Sequence, residues 1–486
     1  MTITEREATA PVQAPEVGFG SRARWRFVRR HSWFLLVLAA GLALRVLAQT
    51  AYRPALLYID SVKYLEGSVA AAPQGYQALI RLLEPVGGLA LVAAVQHAFG
   101  LAMAVALYAL LLRRGVPRWA ATLAAAPVLL DAYQLQLEQT IMPDVLFEAM
   151  ITAGLVMLLW RSGPWPKAVS GSGALVLGAA VTVREIGAVL IVPVVVFAAL
   201  TVPGWRSRLK RAALAAGCFL LPVLAYLTGT FGVTGHFGMA GNGPSPQYGR
   251  AAAAADCGTL KVPADQRALC PSPAQTLALG GIDGLLHNPR SPGHTVPVPP
   301  GLTRDEFLDR FALAVFRQQP LRVAASVASD SVRLFAPVRN DDPQVTPLAR
   351  WQFQDFYPTY PRRYSMAFFT RLAHAHGSGG DLVAVQPAAS FLRAYQLDGG
   401  YTPGPLYAAF LVAGVAGAVA GRRRRELALL CLLVTLSAVV LLVSSDAFEF
   451  SWRYQLPAVV LLPLAGALGV TVLVRGRRSR CAAPSG

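Results

Sequence analysis

The sequence predicts an all-α membrane protein that crosses the lipid bilayer about ten times. Hydrophobic residues make up 54% of the 486 residues and charged residues only 14%, whereas about a quarter of the residues in a typical soluble protein are charged. The mean hydropathy is +0.45, and the apolar residues are grouped in runs close to the ~20 residues that a helix needs to cross a bilayer. Together these observations argue against two or three soluble domains.

Ten apolar runs predict the membrane-spanning helices. They lie at 33–50, 88–112, 119–137, 145–160, 168–183, 186–202, 212–231, 403–420, 427–444 and 455–474. Arg184 and Glu185 interrupt the stretch 168–202, and a single helix of that length would far exceed a long span of ~25 residues. We therefore expect two helices that turn at these two residues.

The basic residues predict which side of the membrane each connection faces. With the N-terminus in the cytoplasm, arginines and lysines concentrate in both tails and in the cytoplasmic connections. The short connections on the other side hold only Arg53, Lys63, Arg81, Arg184 and Arg453. Because basic residues are enriched on the cytoplasmic side of membrane proteins, we predict that both termini are cytoplasmic and that the polar loops face the exoplasm.

This topology divides the chain into five parts. We predict a disordered basic cytoplasmic tail at 1–32, about seven transmembrane helices at 33–231, a large exoplasmic loop or cap at 232–402, about three helices at 403–474 and a basic cytoplasmic tail at 475–486. The first 20 residues lack the apolar core of a signal peptide, so the first span is expected to serve as an uncleaved signal.

The net charge of +18 could suggest a nucleic-acid partner, but its distribution argues against one. The arginines flank the apolar runs in short clusters such as 422–425, where they orient spans, and no basic stripe is interleaved with aromatic residues. Only four of the 44 basic residues are lysines, a bias typical of GC-rich coding DNA. We therefore expect no nucleic acid and place the protein in the plasma (inner) membrane of a bacterium.

The outer segment 232–402 contains two patterns that indicate structure. Cys257 and Cys270 are the two cysteines placed outside, which predicts a disulfide in an oxidising compartment, with two free thiols as the alternative. Thr303 and Glu306 form a capping-box pattern ahead of one amphipathic helix, and Pro320 starts a second. Such helices either lie in the membrane interface or pack on a small outer domain, and both alternatives stay open.

The first outer loop contains a carboxylate that is a candidate for catalysis. Asp60 and Tyr64 are four residues apart, so on a helix they share a face. A carboxylate at the outer membrane surface can accept a proton from a substrate hydroxyl. The alternative for Asp60 is an ordinary helix N-cap, a position that favours aspartate.

Three further sets of charged residues lie on outer connections. Glu138 and Asp144 bracket a turn between two spans, where charged residues are costly and often functional, although Asp144 could also cap the next helix. Arg184 and Glu185 could pair with each other. Arg453, at the head of the last span, could bind an anion because a guanidinium matches phosphate oxygens, or it could be an interfacial anchor.

The sequence contains no phosphate-cradling glycine loop, no zinc-ligand spacing and no nucleophile elbow. His374 and His376 lie in a loop flanked by glycine, which we interpret as unliganded. An enzyme on the outer face has no nucleotide pool, so an activated donor would have to arrive attached to a lipid.

The combination resembles the GT-C superfamily of membrane glycosyltransferases, close to the protein mannosyltransferases and the lipid A aminoarabinose transferases. Four pieces in the order of the chain carry the resemblance: Leu42 to Leu47 with Pro54, Tyr58-Ile59-Asp60 and Tyr64; Gly75-Tyr76-Gln77-Ala78-Leu79; Glu138 to Phe147; and Arg453-Tyr454-Gln455-Leu456-Pro457. They cover residues 40–200 and 440–460, whereas 232–402 matches no family pattern.

The resemblance implies an inverting transfer of a sugar from a polyprenyl-phosphate donor to a glycan, lipid or protein acceptor. Asp60 would be the base, Arg453 and Arg184 would stabilise the lipid phosphate, and Glu138 and Asp144 would position donor or acceptor. Many relatives carry a second acid in the first loop, whereas Ser61 follows Asp60 here. A single carboxylate is a poorer site for a divalent cation, so we assign no metal ligands and keep a divalent cation only as a disfavoured alternative.

Two other classes of function remain as alternatives. A transporter or lipid flippase would place polar or broken helices near the bilayer midplane, often with an internal repeat, and the sequence shows no repeat. A structural subunit of an envelope-synthesis complex would carry degenerate catalytic loops.

Overall fold

A computed structural model describes residues 19–67, 72–160, 166–235, 237–239, 246–360, 363–420 and 425–481. Helices account for 73% of the part of the chain that the structure describes. Within the described residues the strands are β1 (Tyr52–Arg53) and β2 (Val383–Ala384), which pair antiparallel. The predicted all-α class is therefore confirmed.

The helices fall into three groups along the chain. The first is α1 (Phe19–Ala51), α2 (Ser61–Leu65), α3 (Gln74–Arg113), α4 (Arg118–Leu130), α5 (Ala132–Gln139), α6 (Asp144–Leu159), α7 (Lys167–Ala180), α8 (Ile191–Leu200) and α9 (Trp205–Thr234). The second is α10 (Pro246–Ala254), α11 (Pro273–Leu279), α12 (Gly281–His287), α13 (Pro292–Thr295), α14 (Arg304–Gln318), α15 (Pro320–Arg333), α16 (Met366–Ala375) and α17 (Ala388–Leu397). The third is α18 (Gly404–Ala420), α19 (Arg425–Phe448) and α20 (Ala458–Cys481), and short 3₁₀ helices lie at Glu185–Leu190, Ala264–Leu269 and Leu348–Trp351.

Each of the ten predicted apolar runs is largely helical. Five helices in the described chain are long and apolar enough to cross a membrane, namely Arg24–Ala51 of α1, all of α3, α9 and α19, and Ala458–Arg475 of α20; three shorter apolar helices are Arg118–Leu130, Glu185–Leu200 and Gly404–Ala420. The chain is a multi-pass membrane protein. The full set of ten spans, the cytoplasmic termini and the five-part division stay predictions, and 422–424 and the first 18 residues lie outside the described part.

Two of the long apolar stretches are broken, one at a pair of glycines and one at Arg184. In α3 the helical geometry is interrupted at Gly87 and Gly88. Gly88 has φ +59°, and a Cβ atom there would lie 2.5 Å from the carbonyl oxygen of Gly377, so only glycine fits. Between α7 and α8 the chain turns at Arg184, which has an extended conformation directly before a 3₁₀ helix.

The two loops predicted to be the first and second outer loops lie side by side. Leu56 and Thr140 form a parallel β-bridge, in which the Leu56 N–H donates to Gln139 O and the Ile141 N–H donates to Leu56 O, both at 2.9 Å. The Ser61 hydroxyl donates to Ile141 O at 2.9 Å. These bonds hold the loop that carries Asp60 against the turn that precedes Asp144.

The cap has its own small hydrophobic core. Tyr248, Phe307, Phe311 and Val315 are buried in it, and a disulfide joins Cys257 to Cys270. The capping box of Thr303 and Glu306 is present at the start of α14, and the apolar face of α14 is buried. The apolar face of α14 thus packs within this core, whereas α15 buries only Asp330; the position of both helices on the outer side of the membrane stays a prediction.

Buried arginines attach the cap to the transmembrane helices. The Arg339 guanidinium lies over the ring of Tyr133 at 3.9 Å and also contacts Tyr401 and Trp452, with Asp131 at 3.7 Å. Cation–π contacts of this kind stabilise a desolvated cation. Segments of the cap are thereby fixed over the outer loops that carry the candidate site.

Candidate active site

Arg453 brings together two of the predicted acids. Its Nη1 donates to Asp60 Oδ2 at 2.8 Å, and its Nε lies 3.1 and 3.0 Å from the two carboxylate oxygens of Asp144. Arg453 is 4% exposed and Asp144 1% exposed, so these charge-assisted hydrogen bonds are shielded from water. The three residues come from the loop after α1, the first residue of α6 and the loop before α20.

Two further cations complete this group, which we call the Asp60 cluster: Asp60, Lys63, Asp144, Arg184 and Arg453. Arg184 Nη1 pairs with Asp144 Oδ1, and Lys63 Nζ lies 3.5 Å from Asp60 Oδ1. Three cations thus face two carboxylates, which leaves one excess positive charge. The cluster is partly open, because the side chains of Asp60 and Lys63 are 31% and 37% exposed.

Neither of the two aspartates makes the side-chain contact that helix capping requires. Asp60 precedes α2, but its side chain makes no capping hydrogen bond. Asp144 is the first residue of α6, and Pro143 stands at the cap position. Both carboxylates are instead directed to arginines, and Arg184 pairs with Asp144 rather than with Glu185.

The ionisation of Asp60 reflects these neighbours. Burial acts to raise the pKa of Asp60, but the charges of Lys63 and Arg453 and the hydrogen bond from Arg453 outweigh burial and hold this pKa well below its usual range. The carboxylate is therefore ionised at neutral pH. A bound anion that competes for the same cations would raise the pKa of Asp60 and make it a stronger base.

Aromatic residues line the cluster. Tyr64 is buried against Tyr76, with ring centroids 5.4 Å apart. The Arg453 guanidinium lies 5.5 Å from the ring of Tyr454 and 5.6 Å from that of Trp351. Burial raises the pKa of the Tyr64 phenol above its usual value, so the phenol is neutral and stays a hydrogen-bond donor.

The cap contributes a second ion pair above the first outer loop. Arg350 donates two hydrogen bonds to Asp283 at 3.1 and 3.0 Å, and its Nη1 donates to the Tyr58 hydroxyl at 3.3 Å. The ring of Tyr58 also contacts Trp351, at 4.8 Å between centroids. Tyr58, two residues before Asp60, thereby links the loop that carries Asp60 to the cap.

Sequence reasoning missed these contributions from the cap. Asp283, Arg350 and Trp351 lie about 220 to 290 residues from Tyr58 along the chain, and the segment around them matches no motif. The only local signal is the charged and aromatic pair Arg350-Trp351 within a loop, which is too common to mark a site.

Glu138 lies apart from the Asp60 cluster. It is 0% exposed, its Oε1 accepts a hydrogen bond from Arg45 Nη2 at 2.7 Å, and its Oε2 lies 2.8 Å from His97 Nδ1. His97 Nε2 lies 2.8 Å from Gln139 Oε1. We call this group the Glu138 network: Arg45, His97, Gln134, Glu138 and Gln139. The role predicted for Glu138 in positioning donor or acceptor stays a prediction.

The residues of the Asp60 cluster do not fit a divalent cation. No group of three or more His, Cys, Asp or Glu side chains that could hold a metal ion occurs among the described residues. The oxygen atoms that would be ligands already accept hydrogen bonds from Arg453 and Arg184, so a guanidinium stands between the two carboxylates where a cation would bridge them.

Comparison with known proteins gives distant structural matches only. No family model matches the chain, and no curated protein matches it. Two crystal structures are similar: the archaeal oligosaccharyltransferase AglB from Archaeoglobus fulgidus in complex with an inhibitory peptide and a dolichol-phosphate, with 12% identity and a TM-score of 0.47, and ArnT from Cupriavidus metallidurans bound to undecaprenyl phosphate, with 13% identity and a TM-score of 0.34.

The matches cover 96% of this chain and 53% of AglB, and 92% of this chain and 78% of ArnT. The chain thus spans about half the length of the oligosaccharyltransferase. Both proteins belong to the GT-C superfamily that the motifs resemble. At these identities and TM-scores the likeness carries no argument about activity, which rests on the residues of the site.

Proposed function

We propose that this protein is a membrane glycosyltransferase that moves a sugar from a polyprenyl-phosphate donor to a hydroxyl group on the exoplasmic face, with inversion at the anomeric carbon. The observation that carries the proposal is the Asp60 cluster itself. It combines an ionised, partly exposed carboxylate with an excess of cations at the outer ends of spans, which suits a proton acceptor beside a lipid-linked anion.

In the proposed reaction Asp60 is the general base. The acceptor oxygen attacks the anomeric carbon while its proton passes to the Asp60 carboxylate, and the bond from the anomeric carbon to the phosphate oxygen breaks. A base held within hydrogen-bond reach of the acceptor contributes about 100- to 10,000-fold to the rate. Tyr64, which lies beside the carboxylate, is placed to orient the acceptor.

The departing lipid phosphate carries away the electron pair of the broken bond and gains negative charge. Arg184 and Lys63 are the cations best placed to bind it, because Arg453 is engaged by two carboxylates. Preorganised positive charge at the developing anion lowers the barrier without reorganisation of solvent. The single excess positive charge of the cluster matches the negative charge of a phosphate monoester more closely than the larger negative charge of a diphosphate.

Asp60→Asn tests the assignment of the base. We expect transfer to fall by at least about 100-fold, whereas binding of the donor persists because Asn keeps the size of the side chain. The measurement is product formation in proteoliposomes supplied with a polyprenyl-phosphate sugar, and Asp398→Asn in the cap serves as the matched control. Full activity of Asp60→Asn would contradict the proposal.

The pH profile gives an independent test of the same residue. Because the pKa of Asp60 is lowered, the carboxylate stays ionised as the pH falls below neutral. The ratio kcat/KM, which reports the pKa of the free enzyme, should therefore be retained as the pH falls through the usual range of an aspartate and be lost only as it falls through the lowered pKa. An acid limb centred near neutral pH would indicate a different base.

A transporter is the second candidate, and the Glu138 network favours it. Arg45 and His97 lie within the spanning helices α1 and α3, and ionisable groups buried at membrane depth often mark a transport path. Uptake or flipping of a lipid-linked sugar by Glu138→Gln proteoliposomes separates the two functions. If the protein is a transporter, Glu138→Gln should abolish movement of the substrate. If it is a transferase, neither the variant nor the unmodified protein should move the substrate.

A further inference from the structure

The second amphipathic helix of the cap covers its apolar residues less completely than the first: Val323 packs against the cap core, but the opposite face is uncovered. In α14 the apolar face is buried and Arg310 and other polar side chains point outward. In α15 the buried residue is Asp330, whereas Leu321 is 84% and Val332 62% exposed. A helix that turns a carboxylate inward and apolar side chains outward is unfavourable in water.

The exposed apolar side chains of α15 form one continuous stripe. With 100° between successive residues, they fall within a narrow arc on the side of the helix opposite Asp330. Its members are Leu321, Ala324, Ala325, Ala328 and Val332. Along the described helix the stripe contains no charged residue, and the exposed Arg322 lies at its edge.

The inward face of α15 fixes the helix next to the end of a membrane span. Arg250 Nη2 donates to Asp330 Oδ2 at 2.6 Å and also bonds the carbonyl oxygen of Asp446. Asp446 lies in the last turn of α19, a helix long and apolar enough to cross the bilayer. These contacts place the C-terminal half of α15 beside the last turn of α19.

We propose that α15 lies in the outer surface of the bilayer, with its apolar stripe in the lipid, and anchors the cap there. The occupant of the stripe is the lipid rather than a protein partner, because α15 packs against α19, a helix long and apolar enough to cross the bilayer, and is held at the end of that helix. The basic residues at its flanks, Arg317 and Arg322, suit the anionic headgroups of phospholipids.

The anchor has a mechanical role in the cap. Through Asp330 and Arg250, α15 holds α10, and α10 packs against α12, which carries Asp283. Asp283 binds Arg350, and Arg350 contacts Tyr58. The bilayer thus fixes the height of the cap residues above the Asp60 cluster, whichever reaction that cluster performs.

Site-directed spin labelling of the full-length protein tests this position. In a background with Cys218, Cys431 and Cys481 replaced by serine, which keeps the Cys257–Cys270 disulfide, single cysteines are introduced along α15. The stripe positions are Leu321, Ala328 and Val332, the edge positions on the same helix are Arg322 and Ser329, and the cap control is Gln275. The protein is reconstituted in vesicles of phosphatidylethanolamine and phosphatidylglycerol.

Labels on the stripe should show a several-fold higher ratio of oxygen to nickel-chelate accessibility than labels at the edge or at Gln275. Equal ratios at all positions would overturn the proposal, because the stripe would then be in water. Low accessibility to both reagents together with spin–spin broadening between copies would overturn it in favour of a protein partner.

A charged substitution extends the test to a variant that leaves the fold unchanged. Leu321→Asp together with Val332→Asp should abolish the oxygen preference at Ala328, because aspartate in the stripe opposes burial in lipid. Ser329→Asp, at the edge, is the matched control and should leave it unchanged. An unchanged signal in the double variant would also overturn the proposal, and activity plays no part in this readout.

Discussion

Two charged clusters contain acids from the same short stretch of the chain, and their construction differs. The Asp60 cluster has three cations for two carboxylates and is partly exposed to solvent. The Glu138 network is fully enclosed, and both oxygens of its carboxylate have partners within the protein. The two acids Glu138 and Asp144 are only six residues apart in the chain, yet one of them lies in a sealed network and the other in an open site.

The difference shows how the role of a buried charge can be inferred from its hydrogen bonds. A carboxylate whose hydrogen bonds are all made by the protein has no capacity left for a ligand, and its removal leaves an unpaired arginine. An incompletely neutralised, accessible cluster can exchange an internal partner for a ligand. We therefore expect substitutions in the Glu138 network to affect stability and those in the Asp60 cluster to affect transfer.

Arg453→Lys should have the largest effect on the rate of transfer. A lysine ammonium is a point charge without the planar fork that lets Arg453 bind Asp60 and Asp144 together. Transfer should fall by about 100-fold or more, measured as the initial rate in proteoliposomes. Arg81→Lys, on an exposed turn of α3, is the matched control. Retained activity in Arg453→Lys would show that joining the two aspartates is not required.

Glu138→Gln should have the largest effect on stability. It leaves Arg45 buried beside a neutral amide, and breaking a buried pair typically costs about 3–5 kcal/mol. The loss of stability is measured by thermal unfolding in detergent, followed by tryptophan fluorescence. The transfer rate per folded molecule should stay within a few-fold of the unmodified protein. A stable variant that has lost transfer would assign Glu138 to the reaction instead.

Lys63→Gln should have the smallest effect. The pair with Asp60 is long and partly exposed, and such pairs contribute about 0.2–1 kcal/mol, which corresponds to a rise of about 1.4- to five-fold in the KM for the donor. Salt should weaken donor binding less in the variant than in the unmodified protein, because one screened charge is gone. If the salt dependence of KM is unchanged in the variant, Lys63 does not contribute to the donor site. Lys210→Gln, on α9, is the control.

The sequence predicted the parts of this molecule that depend on local pattern. The apolar runs located the helices, and the acids and arginine of the outer loops indicated that Asp60, Asp144 and Arg453 belong together. Both depend on residue type and spacing alone. The disulfide between Cys257 and Cys270 follows from their placement in the same outer segment.

Other features depend on contacts between distant parts of the chain, and no local pattern carries them. The enclosure of Glu138 depends on Arg45 and His97 from two other helices. The contact of Arg350 with Tyr58 joins residues 292 positions apart. For α15, the amphipathic pattern predicted two faces, but only the position of Arg250 determines which of them points inward.

The β-bridge between Leu56 and Thr140 sets the spacing of the two aspartates. Asp60 follows Leu56 by four residues, and Asp144 follows Thr140 by four, so both acids lie at equal chain length from one fixed pair. Insertion or deletion of one residue in either loop would displace one carboxylate by up to ~3.3 Å, more than the length of the hydrogen bonds to Arg453. Equal loop lengths are thus a geometric requirement, and natural length variation should be confined to the chain outside these two segments.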